Sequence, residues 1–409
     1  MQGSALIFER RSSSMDKDMT ATAIYATKIL APQEEFTDCV MTVENGRITG
    51  MGHRDEVNIP AGSKDYVAAG ATVIPGFVDV HIHGAGGHDV MEGTTAALDT
   101  ITSTVARFGT TSMLATTVTA PVDVTCRSLE GIAKYIRAHE KLSDETRFGA
   151  EILGIHLEGP FISYSCRGVH PPASIIHPSI EILKQFREAA EGLVRMVTVA
   201  PELPGAIEFI QAAVADGIVV GMGHTNATYE ETRAAIAAGA RHGVHMYNAM
   251  RPFNHRDPGV IGAILTDPDV TAEIIADGVH VAGPAIQVLL GTKGFDTVIA
   301  ISDGISATGM GDGNFRLGEM EVQVKGGVAR SSEGNLAGST LTLDRALRYL
   351  VSLGVPFVDA VRMATILPAR RLGLAGKKGI LAIGADADLA ILTPDMKLAG
   401  VMTRGGGLL

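Results

Sequence analysis

Eight short apolar runs rich in β-branched residues recur between residues 77 and 302. They are Phe77–His83, Thr111–Thr117, Glu151–Leu157, Val194–Val199, Ile218–His224, His242–Met246, Ala272–Ala276 and Val298–Ser302. Helix-like stretches separate most of them, such as Glu181–Glu191, Ile207–Asp216 and Tyr229–Ala238. Strands that alternate with helices predict a parallel sheet. Eight parallel strands favour a closed barrel, because closure leaves no exposed sheet edge. An open doubly wound sheet is the alternative fold.

Both ends of the chain carry β-like sequence outside this repeat. Short apolar runs separated by turns occupy residues 20–74, where Asn45-Gly46 predicts a tight hairpin, and similar runs occupy residues 380–409. We therefore predict an α/β fold: a (β/α)₈ barrel of TIM type over residues 75–379, with a small β-sandwich module made from both chain ends. Residues 1–19 contain no continuous apolar segment and are expected to be a disordered extension.

Side chains with metal-binding chemistry stand at the ends of several predicted strands. His81 and His83 share one face of the first strand, because alternate residues of a strand point the same way. Glu158, His224 and His245 lie at or next to the ends of the third, fifth and sixth runs. Three nitrogen and oxygen ligands with one open position are typical of a catalytic zinc. All five together would suffice for two metals bridged by Glu158.

Two further strand-end residues matter for the chemistry. His156 shares a face with Glu158, so either could be the ligand from that strand. Asp303 follows the eighth run, and a carboxylate beside a metal-activated water can take its proton and pass it to a leaving group. Polar groups around a ring of strand ends favour the barrel, since an open sheet gathers its ligands at one switch point.

Composition argues against several classes of protein. Three widely spaced cysteines without a CxxC pair do not make a disulfide framework. A formal net charge of -11 argues against a broad nucleic-acid surface. No apolar run reaches the roughly 18 residues that a membrane span requires. We expect a cytoplasmic protein that acts on a small molecule, with neither a nucleic acid nor a membrane as partner.

Four longer strings resemble one enzyme family. His156-Leu-Glu-Gly-Pro-Phe161, Gly223-His-Thr-Asn-Ala-Thr-Tyr229, His245-Met-Tyr-Asn-Ala-Met250 and Leu336-Ala-Gly-Ser-Thr340 are similar to the N-acetylglucosamine-6-phosphate deacetylases of the amidohydrolase superfamily. The resemblance runs from about residue 70 to 392 in the same order. It implies hydrolysis of N-acetyl-D-glucosamine 6-phosphate to D-glucosamine 6-phosphate and acetate, with one or two divalent ions per subunit. Zinc is favoured, and iron, cobalt or manganese also suits such ligands.

The resemblance also assigns roles to residues. It implies Glu158, His224 and His245 as the main metal ligands, with His81 and His83 able to hold a second ion. It implies Asp303 as the general base and acid, and His170 as the contact of the acetamido carbonyl. Sugar and phosphate contacts would be Asn248, Ala249, Arg256, His280, Ala337, Gly338 and Ser339. An arginine and a histidine of this site come from the neighbouring subunit in the family, which implies a homodimer in which Arg256 and His280 reach across.

Other functions stay open at this point. A related amidohydrolase could use the same metals on N-acetylgalactosamine 6-phosphate, a cyclic amide or an N-acyl amino acid. A non-catalytic barrel that serves as a scaffold is the alternative of a different class, although such a barrel usually lacks the ligands that are present here.

Overall fold

The structure is a computed structural model that describes residues 21–31, 34–140 and 148–407. In chain order its strands are β1 (Thr22–Leu30), β2 (Glu35–Glu44), β3 (Arg47–His53), β4 (Lys64–Pro75), β5 (Phe77–Ile82), β6 (Gly84–Ala85), β7 (His88–Asp89), β8 (Thr110–Thr117), β9 (Glu151–Leu157), β10 (Val194–Val199), β11 (Val219–Met222), β12 (His242–Gly243), β13 (Thr271–Ile275), β14 (Val298–Ile301), β15 (Gly313–Leu317), β16 (Met320–Lys325), β17 (Val328–Ser331), β18 (Leu389–Leu392) and β19 (Leu398–Met402). Its helices are α1 (Thr95–Ala106), α2 (Val122–His139), α3 (Ile180–Ala189), α4 (Ala206–Ala215), α5 (Tyr229–Ala238), α6 (Gly259–Thr266), α7 (Gly283–Lys293), α8 (Leu343–Ser352), α9 (Phe357–Met363) and α10 (Ile366–Arg371). The expectation for residues 1–19 falls outside the described residues.

The central sheet is an eight-stranded parallel barrel. Its strands neighbour one another in the order β5, β8, β9, β10, β11, β12, β13 and β14. Hydrogen bonds at the carboxyl ends join the first strand to the last: the Asp303 amide donates to the His81 carbonyl at 2.9 Å, and the His83 amide donates to the Gly304 carbonyl at 2.8 Å. The predicted barrel is confirmed, and the alternative of an open sheet is wrong.

The barrel core follows from the apolar runs. Every residue of β5, β8 and β14 is buried, as expected for parallel strands that are covered on both faces. The surrounding helices turn one apolar face inward: α2 buries Leu129, Ile132 and Ile136, which lie three and four residues apart on one side. Burial of both layers fixes the strands and thereby the positions of the residues that follow them.

The two chain ends form one mixed sheet of six strands, in the order β19, β18, β4, β1, β2 and β3. Asn45 and Gly46, with φ of 53° and 71°, make the predicted two-residue turn between β2 and β3. This sheet has its own apolar cluster, which includes Ile24, Met41 and Leu389. The expectation of a separate β module from both ends is confirmed.

A buried ion cluster connects this module to the barrel. The Lys378 ammonium lies 2.5 Å from Glu151 at the start of β9, and 2.9 Å and 2.6 Å from Asp386 and Asp388, which precede β18. The exposed surface of Lys378 is only 3%. A buried charge is stable only when it is paired, so this contact fixes the start of β18 against the amino end of a barrel strand.

The sequence did not predict the three-stranded antiparallel sheet β15–β17, which lies between β14 and α8. It packs through Leu317, Val322 and Val324 against Val118 and Ile305 at the carboxyl end of the barrel. The insertion therefore builds one wall beside the strand ends. No helix in the described part of the chain combines the length and apolar character needed to cross a membrane.

Candidate active site

Seven of the predicted site residues lie together at the carboxyl ends of the barrel strands. Five strands (β5, β9, β11, β12 and β14) carry six of them at or just beyond their ends, and the loop after β9 carries the seventh. All are buried, and the most exposed has 8% of its surface accessible. The seven are His81, His83, Glu158, His170, His224, His245 and Asp303.

Glu158 is at the centre of this group. Its Oε1 lies 3.2 Å from the Nε2 atoms of both His81 and His224, and 3.0 Å from Nε2 of His245. Its Oε2 lies 3.2 Å from Nε2 of His83. The Nε2 atoms of His224 and His245 are 3.2 Å apart. Oε1 of Glu158 thus faces three imidazoles and Oε2 faces a fourth, so the two oxygens of one carboxylate could serve as ligands for two ions.

The other two strand-end candidates differ in position. His156 does not join the group, because its Nε2 is hydrogen bonded to Thr198 Oγ1 at 2.8 Å. Burial lowers the pKa of His156 to about 3, so this ring is neutral at pH 7. Asp303 does join, with Oδ1 3.2 Å from Nε2 of His83 and 3.7 Å from Nε2 of His81.

The proton positions on these rings show that the group fits a cation. Nδ1 of His83 lies 3.1 Å from the Thr116 carbonyl, and Nδ1 of His224 lies 2.9 Å from the Cys166 carbonyl. A carbonyl only accepts, so each ring carries its proton on Nδ1, and the neutral form turns the Nε2 lone pair toward Glu158. Carboxylate oxygens also only accept, and two acceptors in contact repel each other. A divalent metal between them would remove this repulsion, and imidazole with carboxylate suits such an ion.

The direction of the pKa shift differs among the histidines of the group. Burial, assisted by the nearby His170 ring, lowers the pKa of His224 to about 4, so its lone pair is available at pH 7. Burial opposes the charged form of His83 as well, but Asp303 and Glu158 outweigh it and raise the pKa of His83 to about 9. Protons and a metal therefore compete for His83, and metal affinity should fall as the pH falls.

His170 faces the group with the same ring nitrogen as His83 and His224, but in the opposite tautomer. The backbone amide of Thr119 donates to its Nδ1 at 3.3 Å, so Nδ1 accepts and the proton of the neutral ring lies on Nε2. That Nε2 lies 3.4 Å from Glu158 Oε2. His170 therefore offers an N–H donor beside the group, where His83 and His224 offer lone pairs. Such a donor can stabilise negative charge on a carbonyl oxygen.

Backbone strain accompanies these positions. Positive φ angles occur at His224 (47°), His245 (29°), Tyr247 (77°), Ala249 (48°) and Asp303 (49°). The left-handed region costs a residue with a Cβ roughly 1–2 kcal/mol. Glycine would relieve the strain but would remove the imidazoles and the carboxylate. The strained turns aim these side chains into the group, as strained residues at functional sites often do.

A cavity of about 550 Å³ opens above the group. Five of the predicted substrate contacts line it: His170, Asn248, Ala249, His280 and Gly338. His280 is held by Asp277, whose Oδ2 lies 2.7 Å from its Nδ1. The structure thus places His280 in the cavity of its own chain, whereas the family resemblance placed it across a subunit interface.

Three predicted contacts lie elsewhere. Arg256 is exposed and does not line the cavity of its own chain; its Nη1 lies 2.9 Å from His255 Nε2. Ala337 and Ser339 are buried behind Asp303. The Ser339 amide donates to the Asp303 carbonyl at 2.7 Å, so this segment supports Asp303 from behind. Of these three loop residues only Gly338 faces the cavity, because Ser339 pairs with the residues just past β14 and the Ala337 amide donates to the Ala329 carbonyl in β17.

Sequence reasoning missed two buried carboxylates beneath the site. Asp79 in β5 accepts hydrogen bonds from the His81 and Ser302 amides, each at 3.3 Å. Glu273 in β13 contacts His81 and the His245 backbone. A carboxylate inside an otherwise apolar strand was the signal that could have revealed both, because burying such a charge is costly without partners.

Comparisons with known proteins agree with this architecture. Residues 72–406 match the model of the Amidohydrolase family. The chain belongs to the amidohydrolase family. Divalent metals are the cofactors of this superfamily, and the buried histidine and carboxylate groups described above are capable of binding one.

Individual relatives show which kind of amidohydrolase this chain is similar to. The N-acetylglucosamine-6-phosphate deacetylase of Vibrio furnissii is 38% identical over 397 residues, 96% of each chain. The N-acetylgalactosamine-6-phosphate deacetylase of Escherichia coli O157:H7 is 39% identical over 332 residues, 81% of this chain and 86% of that one. A solved mutant of the N-acetyl-D-glucosamine-6-phosphate deacetylase from Mycobacterium smegmatis, in complex with N-acetyl-D-glucosamine-6-phosphate, superposes with a TM-score of 0.87 at 37% identity, covering 95% of this chain and 99% of that chain. The predicted resemblance to this family is confirmed.

Proposed function

We propose that this protein hydrolyses N-acetyl-D-glucosamine 6-phosphate to D-glucosamine 6-phosphate and acetate. The observation that carries the proposal is the convergence of Glu158, His224 and His245, with 3.0–3.2 Å between their ligand atoms, below a cavity lined by a histidine N–H donor. Relatives that share this chain almost end to end are deacetylases of phosphorylated amino sugars. A scaffold function does not need such a group.

In this proposal Glu158, His224 and His245 hold a divalent metal, and His81 with His83 provides ligands for a second. Zinc is the ion we favour, since nitrogen and oxygen ligands with an open position suit it. When bound, the metal supplies a water-derived nucleophile at neutral pH, because coordination lowers the pKa of water from about 15.7 to about 7.

The chain's own residues control the proton and the oxyanion. The His170 Nε2–H donates to the acetamide oxygen as negative charge develops there. Asp303 takes the proton of the attacking water and transfers it to the sugar nitrogen as the C–N bond breaks. One water is consumed, its oxygen ends in acetate, and the amine leaves protonated.

In this proposal the substrate phosphate is bound at a distance from the reacting acetamide. Arg256 provides a guanidinium that can grip a phosphate with two hydrogen bonds, and His280 at the mouth of the cavity assists. Because Arg256 lies outside the cavity of its own chain, we propose a homodimer in which it completes the partner's site. We also propose that the enzyme acts in the cytoplasm, without a nucleic acid or membrane partner.

The test combines metal analysis of the purified protein with an acetate-release assay. We expect at least one divalent ion per chain and faster turnover of N-acetyl-D-glucosamine 6-phosphate than of unphosphorylated N-acetylglucosamine. N-Acetylgalactosamine 6-phosphate is the necessary comparison, since a deacetylase of that sugar is 39% identical to this chain. A preference for N-acetylgalactosamine 6-phosphate would make that sugar the assigned substrate. Absence of acetate release from every phosphorylated sugar would refute the proposal.

A further inference from the structure

Glu273 is a fully buried carboxylate on β13 that makes three hydrogen bonds beneath the candidate metal site. Its Oε2 lies 3.0 Å from Nδ1 of His81 and accepts from the His245 backbone amide at 3.0 Å. Its Oε1 lies 2.8 Å from Nε2 of His242. The accessible surface of Glu273 is 0%. Burial of an ionised carboxylate is unfavourable unless hydrogen-bond or charged partners stabilise it.

The contact between Glu273 and His81 determines which ring nitrogen of neutral His81 carries the proton. A carboxylate oxygen only accepts, so Nδ1 of His81 carries a proton, and in the neutral ring that can bind a metal this is the only ring proton. The Nε2 lone pair is then directed at Glu158 Oε1, 3.2 Å away, and toward Asp303. Backbone carbonyls do the same for His83 and His224. For His81 the partner is a charged side chain, so its contribution can be changed by substitution.

The contact with His245 links the two halves of the group. His245 has a φ of 29°, and its amide is directed at the same Oε2 that accepts from His81. One oxygen of Glu273 thus supports two candidate ligands, His81 and His245, whose Nε2 atoms both approach Glu158 Oε1. The second oxygen is fixed by His242, whose Nδ1 lies 2.7 Å from Thr271 Oγ1. The carboxylate is therefore fixed at both oxygens and cannot rotate away from His81.

We propose that Glu273 is a positioning residue that sets the tautomer of His81 and strengthens it as a ligand for a second divalent ion beside His83 and Asp303. A carboxylate behind an imidazole fixes its orientation and raises its basicity as a ligand. The inference depends on the proposed metal-dependent function, which it deepens.

The experiment titrates Zn²⁺ into metal-free protein against a chromophoric chelator, for wild type, Glu273→Gln, His81→Gln and the double variant. Gln can keep the hydrogen bonds to His81 and His245 while it removes the charge. We expect two ions in wild type, and in Glu273→Gln one binding step weakened about 10- to 100-fold. In the His81→Gln background the same change should alter zinc affinity less than threefold, because the residue through which Glu273 acts is absent.

The matched control is Glu151→Gln, which neutralises a carboxylate at the opposite end of the barrel and should leave both zinc affinities unchanged. The inference would be overturned if the zinc affinities of Glu273→Gln were within threefold of wild type, or if Glu273→Gln reduced zinc affinity equally in the His81→Gln background. Deacetylation by the wild-type protein would leave the proposed function standing in either case. A wild-type protein that binds no zinc and releases no acetate would overturn the proposed function itself.

A second measurement on wild type covers the case in which Glu273→Gln does not fold. Long-range ¹H–¹⁵N correlation of the zinc-loaded protein reports which ring nitrogen of each histidine carries the proton, and His81 is assigned by the signal that disappears in His81→Gln. We expect His81 protonated at Nδ1. A proton on Nε2 would overturn the proposal.

Discussion

His170 gives the sharpest test of the chemistry, because its role depends on one proton. Its Nδ1 accepts from the Thr119 amide, so Nε2 carries the hydrogen and cannot bind a metal. Yet its distance to Glu158 and His224 would also suit a metal ligand. The substitution His170→Phe separates the two roles, since a phenyl ring occupies a similar volume but neither donates nor ligates.

The expected loss can be estimated from these contacts. Removing one donor to a developing oxyanion typically lowers kcat about 10²–10³-fold, or about 2.7–4 kcal/mol. KM should change much less, because the hydrogen bond strengthens only as the charge forms. The Thr119 amide would lose its acceptor in a buried place, which should also lower the free energy of unfolding by about 1–3 kcal/mol.

The assay is steady-state acetate release with metal analysis and urea unfolding on the same preparations. Unchanged metal content with a large fall in kcat is the expected result. Loss of metal would show that His170 is a ligand and that the assigned tautomer is wrong. A kcat close to that of wild type would remove His170 from the reaction.

Three further predictions follow from the same geometry. Asp303→Asn should lower kcat about 10²–10⁴-fold with metal content retained; near-normal turnover would exclude proton transfer by this residue. Arg256→Ala should raise KM for the phosphorylated sugar far more than for N-acetylglucosamine, and equal effects on both would remove Arg256 from phosphate binding. Lys378→Met removes the ammonium that pairs with the buried Asp388 carboxylate and should lower the free energy of unfolding in urea by about 3–5 kcal/mol at pH 7. Although burial opposes the charge, Asp388 and Glu151 raise the pKa of Lys378 above its ordinary value of 10.5. The stabilisation by Lys378 is therefore fully present below pH 10.5, and the stability difference between variant and wild type should shrink as the pH rises through the folded pKa. A stability difference that does not depend on pH would contradict this.

The barrel was predictable because its signal is local. Each of the eight apolar runs became a strand, with ends that moved by a few residues. The largest difference is β12, predicted to reach Met246 but ending at Gly243, because the chain turns at His245 with positive φ. Nothing in the alternation of apolar residues reports such a turn.

Contacts between distant strands were harder to predict. Glu273 and Asp79 were not singled out, although both sit inside apolar strands, because His81 reaches Glu273 and Ser302 reaches Asp79 only when the barrel closes. The same reason applies to Ser339, which the family resemblance placed near the sugar and the structure places behind Asp303. The sheet β15–β17 has short strands with mostly alternating exposure, a weaker pattern than the continuous apolar runs of the barrel.

Strand β9 has a special place in this architecture. Glu151 at its first position is bound by Lys378 from the sequence just before β18, and Glu158, one residue past its last, is the hub of the candidate metal site. A barrel cut out at residues 75–379 would keep Lys378 but would lose Asp386 and Asp388, which pair with it. Transfer of this barrel into another protein would therefore have to include the segment that carries these two carboxylates.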